Sequence, residues 1–353
     1  MKIFYEIFIF RYYNEGDIIM ITLRKCVIST IVIAFHAFGL LFGCAKSQKA
    51  LPISETRLML GTFCAITLYN EKDMRLLDEA FELCAQYEAL LSMTIRDSDV
   101  WRINNASGQQ TEVSDLTAFV IREGLRYSEL SGGMFDISIG KLSSLWDFTG
   151  SSGVPTSSEI AAARAGVGYQ RVTITDNLVT LSDPETWIDL GAIAKGFIAD
   201  AVASFLKDNG VGAAVIDFGG NIVTVGQKPD GGVWRVGIAK PFSDRNETVG
   251  ITETNEASIV SSGTYERYFI QDGELYHHVL NPFTGKPSGS GVVSATVVSE
   301  SSMQGDALST IILLLGSECV NDLLLEMPEI MGVVLVLEND EVLVFGDIEF
   351  TLT

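Results

Sequence analysis

W-I-D-L-G-A-I-A-K-G, residues 187–196, joins a strand end to a helix. Trp187 and Ile188 close the strand and Asp189 follows. Small residues then make a tight turn, and Lys195-Gly196 opens an apolar helix running through Asn209. Such a junction aims free backbone N–H groups and the positive end of the helix dipole at one point, which suits an anionic group. Asp189 and Lys195 bring opposite charges to the same small volume. The stretch is equally compatible with an ordinary strand–turn–helix junction, so its neighbours decide.

Upstream, residues 172–174 and 178–181 form a hairpin about Asp176-Asn177. Residues 57–69 read as one strand bent at Gly61-Thr62. Residues 72–91 carry Leu76, Leu77, Ala80, Leu83, Cys84, Tyr87 and Leu91 at helical spacing, the mark of an amphipathic helix. Residues 92–108 read as a polar loop with Trp101 and Asn104. Asp115 is the N-cap of a helix that stops at Gly132-Gly133, and residues 159–165 make a short helix. Downstream, Ala213–Phe218 is an apolar strand ending at Gly219-Gly220-Asn221. Strands follow at 223–225, 234–238 and 258–261, with a hairpin over 265–278. A β-branched strand at 292–298, a helix at 305–315 and strands at 331–337 and 342–345 close the chain. Helices and strands mix without strict alternation. The fold class is α+β, with a mixed, largely antiparallel sheet core flanked by helices.

The composition, 47% hydrophobic and 20% charged over 353 residues, is that of a globular chain. A net charge of −21 excludes a nucleic-acid-binding surface, which needs Lys and Arg against phosphate. A phosphate-bearing ligand must therefore find a cation or a helix N-terminus locally. Arg24-Lys25 precede an apolar run over 27–42, the length of a signal-peptide core and short for a membrane span. Residues 41–44, L-F-G-C, resemble the lipobox of bacterial lipoproteins, in which the cysteine, here Cys44, becomes the lipid-bearing N-terminus. A plain secretory signal or an uncleaved anchor is the alternative. The expected organisation is a signal peptide over 1–43, with Met20 a better start than Met1, a lipidated Cys44 and polar tether over 44–56, and one catalytic domain over 57–353.

Beyond Cys26 and Cys44, the cysteines are Cys64, Cys84 and Cys319, too widely spaced for a disulfide framework or a zinc site. Beyond His36, the histidines are His277 and His278, so a His-rich transition-metal centre is excluded. Any metal is a hard cation held by oxygen. Asp306 and Thr310, four apart on the 305–315 helix, project from one face and can share such a cation; alternatively Asp306 caps the helix. His278 stands before the turn 281–285, N-P-F-T-G, either as a structural residue or as a general base that titrates near neutrality. Gly219-Gly220 lets backbone approach a ligand, or makes a tight turn.

Eight motifs occur in one order: L-G-T at 60–62, S-D-V-W-R-I-N at 98–104, G-M-F-D at 133–136, D-L-G-A-I-A-K-G at 189–196, G-G-N at 219–221, S-G-T-Y-E-R at 262–267, H-V-L-N-P-F-T-G at 278–285 and D-A-L-S-T at 306–310. Together they resemble the FAD:protein FMN transferase family, the ApbE-like flavin transferases, over nearly all of the chain after its signal.

The resemblance implies an ApbE-like (T-fold-like) catalytic unit that binds FAD and Mg²⁺. Such enzymes cleave the pyrophosphate and attach FMN through its phosphate to a Thr or Ser of a target protein. It implies Asp306, Thr310 and the backbone carbonyl of Ala192 as Mg²⁺ ligands. Leu60, Met134, Phe135, Asp136, Asp189, Lys195 and the backbone near Leu280 would line FAD, and His278 would be the base that activates the acceptor hydroxyl. It further implies a bacterial membrane lipoprotein facing the periplasm. The acceptor would be a membrane redox-complex subunit or a periplasmic flavoprotein. Three positions depart from the family: Leu60 replaces a usual Met, Asn281 a frequent Asp, and Thr94 an aromatic residue that would stack on flavin. Loss of that ring favours turnover of FAD to free FMN and AMP, so a Mg²⁺-dependent FAD pyrophosphatase is the alternative. A flavin-binding lipoprotein without chemistry is a third reading.

Overall fold

The computed structural model describes residues 51–69, 74–148, 153–243 and 247–353. The expected signal segment, Met20 and Cys44 lie outside the described residues. Strand Ile53–Met59 turns into Thr62–Leu68 through Leu60-Gly61, with Met59 paired to Thr62. Both turn residues have positive φ, 54° and 68°, which is the two-residue turn whose twist suits paired strands. The single bent strand expected over 57–69 is thus the end of the first arm, the turn and the second arm of a hairpin. Leu at a left-handed position hides the turn, because Asn, Asp or Gly is the usual signal there.

Eight strands follow one another in the main sheet in chain order: Ile53–Met59, Thr62–Leu68, Ala213–Phe218, Asn221–Gly226, Ser258–Gly263, Val292–Ser299, Ile330–Leu337 and Val342–Gly346. Every neighbouring pair is antiparallel. Val292–Ser299 and Ile330–Leu337 are buried over most of their length, as their β-branched runs require. The functional elements are carried in the connections. Between the second and third strands lie α1 (Arg75–Leu91), α2 (Asp99–Asn105), α3 (Asp115–Leu130), α4 (Gly140–Leu145), α5 (Ser157–Arg164) and α6 (Ala194–Asp208). Between the sixth and seventh lie α7 (Ser302–Leu315) and α8 (Val320–Glu326). Helices α6 and α7 pack on each other, and α7 lies on strands Ser258–Gly263 and Val292–Ser299.

Several elements differ from expectation. The polar loop over 92–108 contains α2, a seven-residue helix capped by Ser98, whose Oγ accepts from Trp101 N–H at 2.9 Å. Trp187 makes only an isolated parallel bridge to Ile139, so the segment before Asp189 is extended but not a strand. Ser114, not Asp115, caps α3, and α7 starts at Ser302 under Ser301, which removes Asp306 from any cap of its own helix. Thr248–Thr254 sits between Trp234–Ala239 and Glu349–Leu352 in a second sheet of three strands. Its polar and small residues gave no strand pattern. No described helix is long and apolar enough to cross a membrane.

Candidate active site

The site is built where α6 starts. Glycine at 196 permits it: a Cβ there would lie 2.2 Å from the Ser302 carbonyl oxygen and 2.7 Å from Met303 Cα. The first turns of α6 and α7 therefore meet backbone to backbone, and Asp306 on α7 reaches α6. Its Oδ2 accepts from Gly196 N–H at 2.9 Å, and its Oδ1 accepts from Lys195 Nζ at 2.9 Å. Asp306 is 1% exposed, and Lys195 keeps 23% of its side-chain surface. This is a buried carboxylate with a half-solvated ammonium. Lys195 Nζ also donates to Asn221 Oδ1 at 3.2 Å. Asn221 follows Gly219-Gly220, whose positive φ values of 62° and 101° close the turn. A Cβ on Gly219 would meet Thr62 Oγ1 at 2.2 Å, so the G-G-N turn is seated against the L-G-T turn.

A hard cation fits this donor set. Ala192 precedes the N-cap Ile193 and lies outside the ladder of α6, in which Phe197 N–H is the first to donate back, to Ile193 O. Among the described residues no hydrogen bond ends on the Ala192 carbonyl. The Thr310 hydroxyl, one turn beyond Asp306, is half-buried and donates only to the Asp306 backbone carbonyl at 3.2 Å, which leaves its lone pairs free. One carboxylate, one hydroxyl and one free carbonyl form an all-oxygen set suited to Mg²⁺, which retains waters and takes substrate phosphate. No group of three or more His, Cys, Asp or Glu able to hold a metal occurs among the described residues.

His278 is half-buried beside the edge of Phe148 (6.3 Å between ring centres), and its backbone N–H donates to Arg267 O at 3.1 Å. Burial, then the charge of Arg267, with smaller contributions from His277 and Lys195, pushes its imidazole down to about 4. The ring is neutral at pH 7, and its Nδ1 is buried without a hydrogen-bond partner. Arg267 also donates to Gly61 O at 3.4 Å, which ties the H-V-L-N turn to the Leu60-Gly61 turn.

A second wall runs from Asp189. Its Oδ1 accepts from Gly191 N–H (2.8 Å), its Oδ2 from Ser143 Oγ (2.7 Å), and its own N–H donates to Ile137 O (2.8 Å). Asn104 braces this segment: Nδ2 donates to Ile188 O at 2.8 Å, and Oδ1 accepts from Ile188 N–H at 2.7 Å. Replacing Asn104 with Ala orphans both backbone groups. Unfolding stability should fall by about 2–4 kcal/mol in denaturant melts, with Asp189 displaced from Ser143. A variant as stable as the parent would show that the brace is idle.

Asp136 is buried, with Oδ1 accepting from Ser138 N–H and Oγ (2.8 and 2.6 Å) and Oδ2 from Tyr169 N–H (2.9 Å); burial pushes its carboxyl up. It lines a pocket of about 290 Å³ with Gly133, Tyr169 and Phe283. None of the residues around Asp306 lines that pocket. Met134 is half-buried, and Phe135 is in the core against Tyr127, so Met134, Asp136 and the backbone are the parts of this segment open to a ligand. Leu280 packs with Leu142, Trp146 and Ile160. Asn281 Oδ1 accepts from Phe283 and Thr284 N–H (2.9 and 3.1 Å), which keeps the turn that an Asp would make. Thr94 is exposed and bonds to Ser92 Oγ at 3.1 Å. The structure thus joins Lys195 and Gly196 to Asp306, with Thr310 one turn beyond Asp306 on the same helix, and puts His278 within reach of the Lys195 charge. The side chains of Asn221 and Arg267 were missed as site residues. Their membership in the G-G-N and S-G-T-Y-E-R motifs was the available signal.

Comparison with known proteins gives the family of the chain. The ApbE family model matches residues 60–334. An FAD:protein FMN transferase of Vibrio cholerae is 34% identical over 301 residues, covering 81% of this chain and 88% of its own. One from Klebsiella pneumoniae is 37% identical over 270 residues, covering 75% and 83%. Among solved structures, the ApbE protein of Thermotoga maritima superposes with a TM-score of 0.76 at 28% identity, covering 83% of this chain and 96% of its own. The flavin transferase ApbE of Vibrio cholerae gives 0.75 at 31% identity, covering 84% and 97%. The family model spans both walls of the site, from Leu60 through Asp306 and Thr310, and this chain belongs to the ApbE family.

Proposed function

We propose that this chain is a Mg²⁺-dependent FAD:protein FMN transferase that attaches FMN by a phosphoester bond to a Thr or Ser of an acceptor protein. The observation that carries the reading is the buried Asp306 carboxylate held at the start of α6 by Gly196 N–H and Lys195 Nζ, with the Ala192 carbonyl just before that helix receiving no hydrogen bond among the described residues. Asp306, Thr310 and that carbonyl would hold Mg²⁺. The cation supplies Lewis-acid stabilisation of charge on the pyrophosphate oxygens. Lys195, held between Asp306 and Asn221, adds a second positive charge to a chain of net −21. Neutral His278 takes the proton of the acceptor hydroxyl. The hydroxyl oxygen bonds to the FMN-side phosphorus, the bridging P–O bond breaks, and AMP leaves. Phosphoryl transfer depends mainly on such positioning and charge. Asp189, Met134 and the backbone near Leu280 are proposed to contact FAD. The chain is proposed to sit at the membrane surface through lipidated Cys44, facing the periplasm.

A second reading, FAD pyrophosphatase, is favoured by one observation: exposed Thr94 offers no ring to retain flavin. Incubation with FAD and Mg²⁺ separates the two. Flavin fluorescence on denatured protein only with acceptor present supports transfer, whereas free FMN and AMP without acceptor support hydrolysis. The base assignment has its own signature. Because the folded imidazole sits near 4 rather than 6.5, it stays deprotonated down to that range. AMP release measured as kcat/KM, which reports groups of the free enzyme, should therefore hold nearly constant from pH 7 to about 5.5. An acid limb centred near 6.5 would contradict the lowering of the imidazole by burial and Arg267.

A further inference from the structure

Helix α6 begins at Ile193 without a side-chain cap of its own, and α7 begins at Ser301. Each start is completed by a carboxylate from the other helix. Asp306 of α7 accepts from Gly196 N–H, the third residue of α6, which is a donor that a capping side chain ordinarily satisfies. Asp200 of α6 does the same for α7. Its Oδ1 accepts from Ser302 N–H at 2.7 Å, and its Oδ2 accepts from Met303 N–H at 3.0 Å and Ser301 Oγ at 2.7 Å. Among the described residues no other side chain accepts from the Ser302 and Met303 N–H groups. Gly196 and Asp200 stand one turn apart on α6, and Ser302 and Asp306 one turn apart on α7. The two carboxylates are thus successive rungs joining the helices.

The rungs have different consequences. Gly305 presses α7 onto Val260, whose Cγ2 would lie 2.8 Å from a Cβ at that position, and this fixes the depth of α7 against the sheet. Movement of α7 along its own axis is not stopped by that contact. Asp200, which grips the first two N–H groups of the helix, resists such movement at its start. Such movement carries Asp306 and Thr310 together relative to Ala192 and Lys195. Mg²⁺ demands near-octahedral geometry at about 2.0–2.1 Å, so a small slide is felt by the cation well before it is felt by the core.

We infer that Asp200 is a positioning residue for the metal centre, setting the placement of Asp306 and Thr310 along α6 rather than only capping α7. The inference rests on the proposed role of Asp306 as metal ligand. The test is a Mn²⁺ titration of the FAD-free protein followed by electron paramagnetic resonance, with unfolding midpoints measured in parallel. Asp200→Asn should weaken Mn²⁺ binding by about tenfold or more, the range seen when a group supporting a metal ligand is removed, and Asp200→Ala should weaken it further. Thr156→Ala, which removes the capping box of remote α5, is the control: it should lower the unfolding midpoint and leave Mn²⁺ binding within about twofold of the parent. If Asp200→Ala does not fold, Asp200→Asn decides. Asp200→Asn that unfolds earlier yet binds Mn²⁺ within twofold of the parent overturns the inference. Asp306→Asn should abolish binding. If it binds like the parent, or if the parent binds no Mn²⁺, the metal reading itself is lost, and that outcome is separate from the Asp200 result.

Discussion

Asp306→Asn should lower AMP release from FAD by about 10²–10³-fold while the protein still folds. The substitution is nearly isosteric and keeps an acceptor for Gly196 N–H, so the start of α6 survives. What goes is the charge that faces Lys195 and that a divalent cation requires. Lys195 retains 23% of its side-chain surface and is not left as a buried, unsolvated charge. Stability should drop by about 1–3 kcal/mol, the scale of one charged hydrogen bond. Near-parent turnover in this variant would place the metal elsewhere. Collapse of the fold would make Asp306 primarily structural.

Gly196→Ala should damage both stability and activity, and through backbone rather than charge. The added Cβ falls 2.2 Å from Ser302 O and 2.5 Å from Ser302 C. These are main-chain atoms of the first turn of α7 and cannot swing aside as a side-chain end could. Either α7 moves off α6 or the first turn of α6 opens. Both routes break the Gly196–Asp306 bond. Overpacking of this kind costs about 1–3 kcal/mol, more than the roughly 1 kcal/mol that Ala gains over Gly in a helix. A urea midpoint below that of the parent and AMP release down by about tenfold or more are expected, because misplacement by about 1 Å can cost 10²-fold. An unchanged midpoint would show that the two helices separate without cost.

Legibility in the sequence followed the range of the interaction. Val292–Ser299 and Ile330–Leu337 were visible because their β-branched runs are long and buried along most of their length. Helices α1, α3 and α6 were visible through spacing or caps. The hairpin turn at Leu60-Gly61 was hidden by a leucine at φ 54°, and α2 by its seven-residue length. Thr248–Thr254 was hidden because its polar and small residues carry no apolar alternation, although it pairs with nearby Trp234–Ala239 as well as with distant Glu349–Leu352. At the site, residue chemistry alone suggested that Asp306 and Thr310 share a helical face. It could not show that Lys195 and Asp306, 111 positions apart, touch. Motif order implied their common purpose. The backbone contact at Gly196 explains it physically. The brace from Asn104 to Ile188 and the grip of Asp200 on α7 had no local signature, since each joins a side chain to main chain 84 or more positions away.

Cleavage of the FAD pyrophosphate at Asp306, Lys195 and Thr310 for transfer to protein is tested most directly by measuring AMP and protein-bound FMN in one reaction with acceptor, first with divalent ions chelated and then with Mg²⁺ restored. Neither product is expected under chelation, and both are expected in equal amounts once Mg²⁺ returns. Bound FMN formed under chelation, or AMP formed without bound FMN, would contradict this expectation.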